Sequence, residues 1–263
     1  MGGRRFRVAV VIAASGLVPL AALMVPAGCG GRPPSSGDTG PTPLATAPPD
    51  ARAALAGRAA AAKDRRFSAS YRLMQPGRQS GSELRTVAVM LATDGGWRVD
   101  VGGGALGGTI DVAVIGLRDG LYECVLGTAG SCVKVSPPGG TLPIAADPRV
   151  EHVFTDWLEV FIDRRAAVSV ARAQPLPGVT GDCFSLEPSA VSLVGPLDPG
   201  IYCFAADGTI TGARAAFGTL TLASAVGPPP PTLTLPGPVV PGAPPNTAPP
   251  PPTATPSAGP TRR

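Results

Sequence analysis

From Ala51 onward the hydrophobic period changes three times. Residues 51–66, ARAALAGRAAAAKDRR, are alanine-rich, and Asp50 stands where an N-cap would, so a helix is expected. From Phe67 the period becomes two, and FSASYRLMQ places Phe67, Ala69, Tyr71 and Leu73 on one side. The runs Leu84–Ala92, Trp97–Val101, Thr109–Ile115, Leu121–Leu126 and Cys132–Val135 continue as strands, punctuated by turn signals at Asp94-Gly95-Gly96 and Asp119-Gly120. Connections this short suit antiparallel neighbours and leave no room for crossover helices.

Asp147–Asp163 returns to a period of 3.6. At 100° per residue, Val150, Val153, Phe154, Trp157, Leu158 and Phe161 fall within an arc of about 140°, and His152, Asp156, Glu159 and Asp163 lie opposite. This predicts one long amphipathic helix docked on the sheet through Phe154, Trp157 and Phe161. Strands resume at 166–172, 182–187 and 201–206. Asp207-Gly208 then reads as a type I′ hairpin turn before TITGARAAF and GTLTLAS. The order helix, sheet, helix, sheet defines an α+β fold.

Composition divides the chain. Fifteen prolines fall in residues 227–263, and six more between Gly30 and Asp50, while only ten lie between Ala51 and Val226. One folded domain, 51–226, therefore stands between a linker and a Pro-rich tail, 227–263, read as disordered. Polyproline stretches are extended, so both flanks can act as spacers; the tail also suits wall threading or partner docking. Residues 51–226 carry 16 basic and 16 acidic side chains, so the electrostatic footprint of a nucleic-acid binder is absent.

Residues 1–28 read as a secretory leader: Arg4, Arg5 and Arg7 precede the uncharged apolar run 8–25. Gly16 and Pro19 interrupt that run, and no basic stop-transfer cluster follows. Arg4-Arg5 leaves both general and twin-arginine export open. Ala27-Gly28-Cys29 resembles the lipobox of bacterial lipoproteins, with Pro26 an unusual neighbour. The resemblance implies cleavage before Cys29, a diacylglyceryl group on its sulfur, and a spacer from 29 to 50 on the extracytoplasmic face of the cell membrane. Outside the cytoplasm, Cys124, Cys132, Cys183 and Cys203 are expected as two disulfides. Three pairings are possible; Cys124–Cys132 and Cys183–Cys203 are favoured because each pair lies on consecutive strand-like runs.

Catalytic patterns are missing. Gly102-Gly103-Gly104-Ala105-Leu106-Gly107 matches GxGxxG, but a strand-like run follows where a phosphate-binding helix is required, so a hairpin loop is expected. The single histidine, His152, sits on the polar face of its helix, read as a surface position. With one histidine and no CxxC spacing, neither metal nor cofactor is expected. Asp156, Glu159 and Asp163 read as a solvated stripe. No catalytic residue is assigned, and the protein is not expected to be an enzyme.

The leader, the Ala-rich helix, FSASYRL, the meander with GWRVDV, then DGLYEC, the amphipathic helix and the last sheet together resemble the LolA/LolB-like half-barrel superfamily. That superfamily includes mycobacterial LppX/LprG-type lipoproteins and the sensor domain of RseB. The two disulfides depart from simple LolA proteins. The resemblance, covering about 51–224, implies a strongly curved antiparallel half-barrel around helices, with an apolar cavity for acyl chains. Its candidate lining is Tyr71, Val87, Val89, Trp97, Val99, Ile110, Val112, Val114, Phe154, Trp157 and Phe161. Three readings follow: a carrier of lipid or another apolar ligand, an RseB-like sensor or adaptor for an envelope protein, and a wall-associated spacer without ligand. All three hold the protein at the membrane by its lipid. Cys29→Ser is expected to release the protein from membranes on fractionation; a variant that stays on the membrane through extraction would refute the thioether anchor.

Overall fold

The computed structural model describes residues 50–76, 82–189 and 197–249. The leader, Cys29, the spacer up to Pro49 and residues 250–263 lie outside them. The elements are α1 (Ala51–Asp64), β1 (Phe67–Pro76), β2 (Ser82–Leu91), β3 (Trp97–Ala105), β4 (Ile110–Leu117), β5 (Gly120–Val125), β6 (Cys132–Ser136), α2 (Trp157–Ile162), β7 (Val168–Ala173), β8 (Asp182–Pro188), β9 (Gly200–Phe204), β10 (Ile210–Ala215) and β11 (Gly218–Leu222).

Two antiparallel meanders share one sheet of eleven strands, ordered β6-β5-β4-β3-β2-β1-β11-β10-β9-β8-β7. The join is the first strand against the last, with Tyr71 opposite Leu222 and Leu73 opposite Leu220. β6 and β7 are the two ends and do not pair with each other, so the curved sheet stays open. The alternation read from the sequence sets the inner face. Tyr71, Val87, Val89, Val99 and Val112 are fully buried, and pack in one cluster with Leu55 and Ala59 of α1 and with Trp157 and Phe161 of α2. Aromatic rings fill its centre: Tyr71 meets Phe154 at 5.0 Å, Phe161 meets Tyr202 at 5.0 Å, and Trp157 meets Tyr202 edge-on at 6.0 Å. Each such pair adds about 0.5–1.5 kcal/mol beyond area burial. The Tyr71 hydroxyl donates to the Ile210 carbonyl at 3.0 Å, so its polar tip is satisfied at full burial.

Both disulfides join residues directly opposite on adjacent strands, Cys124–Cys132 across β5–β6 and Cys183–Cys203 across β8–β9. These are the favoured pairings. They lock register near each end of the sheet, and cross-links of this kind contribute roughly 2–4 kcal/mol. Helix α1 is pinned by charge: Arg58 donates to Asp182 at 2.7 and 3.0 Å, and Arg52 reaches the carbonyls of Asp163 and Ala166.

Four expectations change. The predicted long helix is two short pieces, a 3-10 turn at Val150–Phe154 and α2 at Trp157–Ile162, separated at Thr155-Asp156. Thr155 leaves helical geometry (φ −127°, ψ −110°), and its hydroxyl donates back to the Glu151 carbonyl at 3.0 Å. The glycine run is not all loop: Gly102–Ala105 continues β3, and only 106–109 turn. The hairpin after β9 holds three loop residues, 206–208, because Ala205 and Thr209 pair through N–H to carbonyl at 2.8 Å. Gly208 takes φ +86°, and a Cβ there would meet the Ala62 nitrogen at 2.4 Å, so the turn tip fits under α1 only as glycine.

The fourth change concerns the Pro-rich tail. Residues 227–249, read from composition as disordered, run across the sheet as a strap. Gly227 exchanges hydrogen bonds with Ser68, Pro230 accepts from Thr93, Pro238 accepts from Cys132, and Asn246 and Thr247 accept from Leu106 and Gly107. Leu235 packs on the cluster formed by Ala113, Ile115, Tyr122 and the Cys124–Cys132 pair. A proline carbonyl accepts but its nitrogen cannot donate. The strap therefore gives acceptors to N–H groups at one end of β1, in the β2–β3 and β3–β4 turns and at Cys132 of the β6 edge, where Val240 also donates back to the Cys132 carbonyl. Ending the chain at Val226 is expected to lower the melting temperature, by about 2–4 °C for each kcal/mol lost, and to cause concentration-dependent association in size-exclusion chromatography. An unchanged melt and a monomeric profile would show that the strap contributes nothing.

Candidate functional site

Among the described residues, the eleven candidate lining residues are packed against one another or against neighbouring side chains. Tyr71, Val87, Val89, Val99, Val112, Phe154, Trp157 and Phe161 belong to the packed cluster itself, with Trp97 and Ile110 packed against it. Val114 belongs to a smaller cluster with Leu121 and Leu142. The middle of the half-barrel is filled by its own aromatic and branched side chains. Open space lies toward the β5–β6 end instead, in a cleft of ≈ 390 Å³. Of the candidates, Trp97 and Val114 line it, joined by Leu117, Leu121 and Leu142; Glu151, His152, Thr155 and Asp156 form its polar side. Gly116 makes room for Trp97, since a Cβ there would meet the indole nitrogen at 2.3 Å.

The polar side is built by the broken helix. In a 3-10 turn, residues i and i+3 eclipse. Glu151 therefore follows Phe154 inward and is 2 % exposed. Arg149 precedes the turn in a left-handed conformation (φ +66°), a strained state for a non-glycine residue costing on the order of 1–3 kcal/mol. It is held there by two hydrogen bonds to Asp198 at 2.6 and 3.0 Å, while its own N–H donates to Asp147 Oδ1 at 2.7 Å. The same Asp147 offers Oδ2 to His152 Nε2 at 3.0 Å. His152 Nδ1 lies 2.6 Å from Asp156, and its ring stacks on Trp157 with centroids 5.3 Å apart. Far from being a surface residue, His152 is clamped between two carboxylates and an indole, with its side chain 16 % exposed. Asp156 stays on the solvated side while it pairs with the imidazole. Glu159 stays there too, largely exposed and paired with Lys63.

Glu151 and Glu123 complete the cluster. Glu123, on β5 opposite Val114, is buried. Neither carboxylate accepts a hydrogen bond through either oxygen. A buried polar group left without a partner costs about 1–3 kcal/mol, so such groups need a physical explanation. Burial pushes the Glu123 acid up to about 8, helped by the charge of Asp147. Burial also drives Glu151 well above the usual carboxyl range, opposed by His152 and reinforced by Asp147. For His152 burial works against the cation, but the hydrogen bonds to Asp147 and Asp156 prevail and hold it up at about 10. Near neutral pH these shifts favour an imidazolium between the Asp147 and Asp156 carboxylates and bias Glu123 and Glu151 toward their neutral forms.

A second, polar cleft of ≈ 400 Å³ lies on the other side, lined by Gln75, Glu83, Arg85, Asp147 and Arg149 among others. Asp147 stands in its wall, while Glu151 and His152 stand in the wall of the first cleft. The charged cluster is thus the partition between the two. Asp147, Glu123 and Glu151 carried no signal in the sequence, because a 3.6-residue wheel leaves Glu151 off the apolar arc and nothing local links β5 to residue 147. No protein-family model matches this chain, and no curated protein is significantly similar to it.

The Glu123 shift sets a pH dependence. The fold prefers its protonated form, so its contribution is complete below the unfolded value near 4.5 and is lost as pH rises through about 8. Glu123→Gln, an isostere of the neutral acid, is expected to flatten the decline in melting temperature between pH 5 and 8 and to stabilise the protein at pH 8 by up to a few kcal/mol. Parallel pH profiles for the two proteins would show that Glu123 is not held neutral.

Proposed function

We propose that this chain is a lipid-anchored, extracytoplasmic binding protein of the LolA/LolB-like half-barrel type, and that it takes a small ligand with an apolar body in the cleft beside β5. The observation that carries the reading is the ≈ 390 Å³ cleft walled by Trp97, Val114, Leu117, Leu121 and Leu142. That volume lies within the roughly 300–1,000 Å³ range of small-molecule sites. The open, curved antiparallel sheet and the lipobox-like Ala27-Gly28-Cys29 support the same reading. Burial of apolar area supplies the affinity, so no catalytic group is required. The packed centre argues against several acyl chains lying along the inner face of the sheet, where the sequence reading had put them. Among the described residues no helix is long and apolar enough to cross a membrane.

Leu142 is 8 % exposed and belongs to the cleft wall rather than the central cluster. Leu142→Trp is expected to fill the cleft and weaken saturable binding of a fluorescent fatty acid at least tenfold, a loss of about 1.4 kcal/mol, with the melting transition retained. Native mass spectrometry of gently purified protein is expected to show one bound small molecule, absent from the variant. No saturable binding and no copurified molecule would overturn the reading; crosslinking to an envelope protein in that case would favour the sensor or adaptor class.

A further inference from the structure

We propose that Asp147, Glu151 and His152 form a site for one divalent transition-metal ion of the zinc class. One ligand atom from each lies within 4.8 Å of the others. His152 Nε2 is 3.0 Å from Asp147 Oδ2 and 3.6 Å from Glu151 Oε1. A tetrahedral ion with bonds of about 2.0–2.1 Å spaces its ligands roughly 3.3–3.4 Å apart. The two separations from Nε2 bracket that value, and the three ligand atoms lie close enough together for side-chain adjustment to bring them onto one ion.

Two independent features point to a ligand. The first is Glu151, buried with neither oxygen hydrogen-bonded and one of them aimed at the imidazole. A cation takes the place of the Glu151 acid proton and of the His152 Nε2 proton, and both protons are released to solvent when it binds. The second is His152 Nδ1, already anchored on Asp156 at 2.6 Å. Metal-bound histidines commonly use their other ring nitrogen in this way, which fixes tautomer and ring orientation. Stacking on Trp157 holds the same ring from its face. One imidazole with two carboxylates suits zinc-class ions, whereas calcium and magnesium favour all-oxygen shells. Three protein ligands leave a fourth position open, as in exchangeable sites. Glu151 and His152 stand in the wall of one cleft and Asp147 in that of the other, so an ion has a route in. The site does not depend on what the apolar part of the cleft binds.

The test uses full-length protein carrying no affinity tag, stripped with a chelator and dialysed against Zn²⁺. Because His152 is the only histidine in the chain, background imidazole binding is absent. Elemental analysis is expected to find one zinc per chain, with a rise in melting temperature that excess Mg²⁺ or Ca²⁺ does not reproduce. His152→Gln should abolish uptake. Asp156→Asn should weaken it about 10–100-fold, as loss of an outer partner does. Glu159→Gln, on the exposed side of α2, should leave it unchanged. If His152→Gln fails to fold, Glu151→Gln replaces it: the amide matches the neutral acid in shape, so apo stability should hold while zinc uptake is lost. Substoichiometric zinc on the folded wild-type protein, or equal uptake by a folded Glu151→Gln variant, overturns the proposal.

Discussion

The pairing of β1 with β11 is the contact on which the rest of the domain depends. Without the register that sets Tyr71 against Leu222, the chain would be two meanders, each with an unpaired strand. With it, one sheet curves around a single apolar interior. Tyr71 is the hinge of that arrangement: its backbone sits in the ladder, its ring packs on Phe154, and its hydroxyl is satisfied by Ile210 of β10. The join spans most of the domain in sequence, and non-local pairing of this kind is entropically costly to form.

Curvature leaves the two outer ends of the sheet with different problems. At the β7 end, Arg52 of α1 reaches over to the carbonyls of Ala166 and Val168. At the β6 end, the Pro-rich strap meets the edge at Cys132, which donates to Pro238 and accepts from Val240. Pro238 and Pro241 flank this contact and keep it to a single bridge, because a residue without an N–H cannot extend a ladder. The strap also explains the small apolar cluster around the Cys124–Cys132 pair on the sheet's outer side, which Leu235 helps to cover.

The charged partition is where local rules and global packing disagree. A buried imidazole, two hydrogen-bonded aspartates and two orphaned glutamates do not strengthen a core of this size. Networks in which every partner is satisfied rigidify an interior, whereas incomplete ones destabilise it. Sites where local consistency fails tend to be functional. The strained backbone of Arg149 points the same way, because it delivers Glu151 inward.

Much of the fold was legible because the relevant signals are local. Period-two alternation placed the strands, short turns set their antiparallel order, and consecutive strand runs singled out both disulfide pairs. Each prediction that changed involved a competition the local pattern does not contain. The apolar arc of 150–161 is a sound wheel, yet Thr155 breaks it, and a tighter turn then carries Glu151 inside. The tail has the composition of a solvated chain, yet backbone bonds with Ser68, Thr93, Leu106, Gly107 and Cys132 hold 227–249 on the domain. What the sequence by itself determined is which surfaces are apolar and which backbone segments alternate, because side-chain period follows from bond geometry. Only the tertiary structure decided that the centre is filled, that a cleft opens beside β5, and that Glu123, Asp147, Glu151 and His152 share one buried space, because those facts depend on distances between segments remote along the chain.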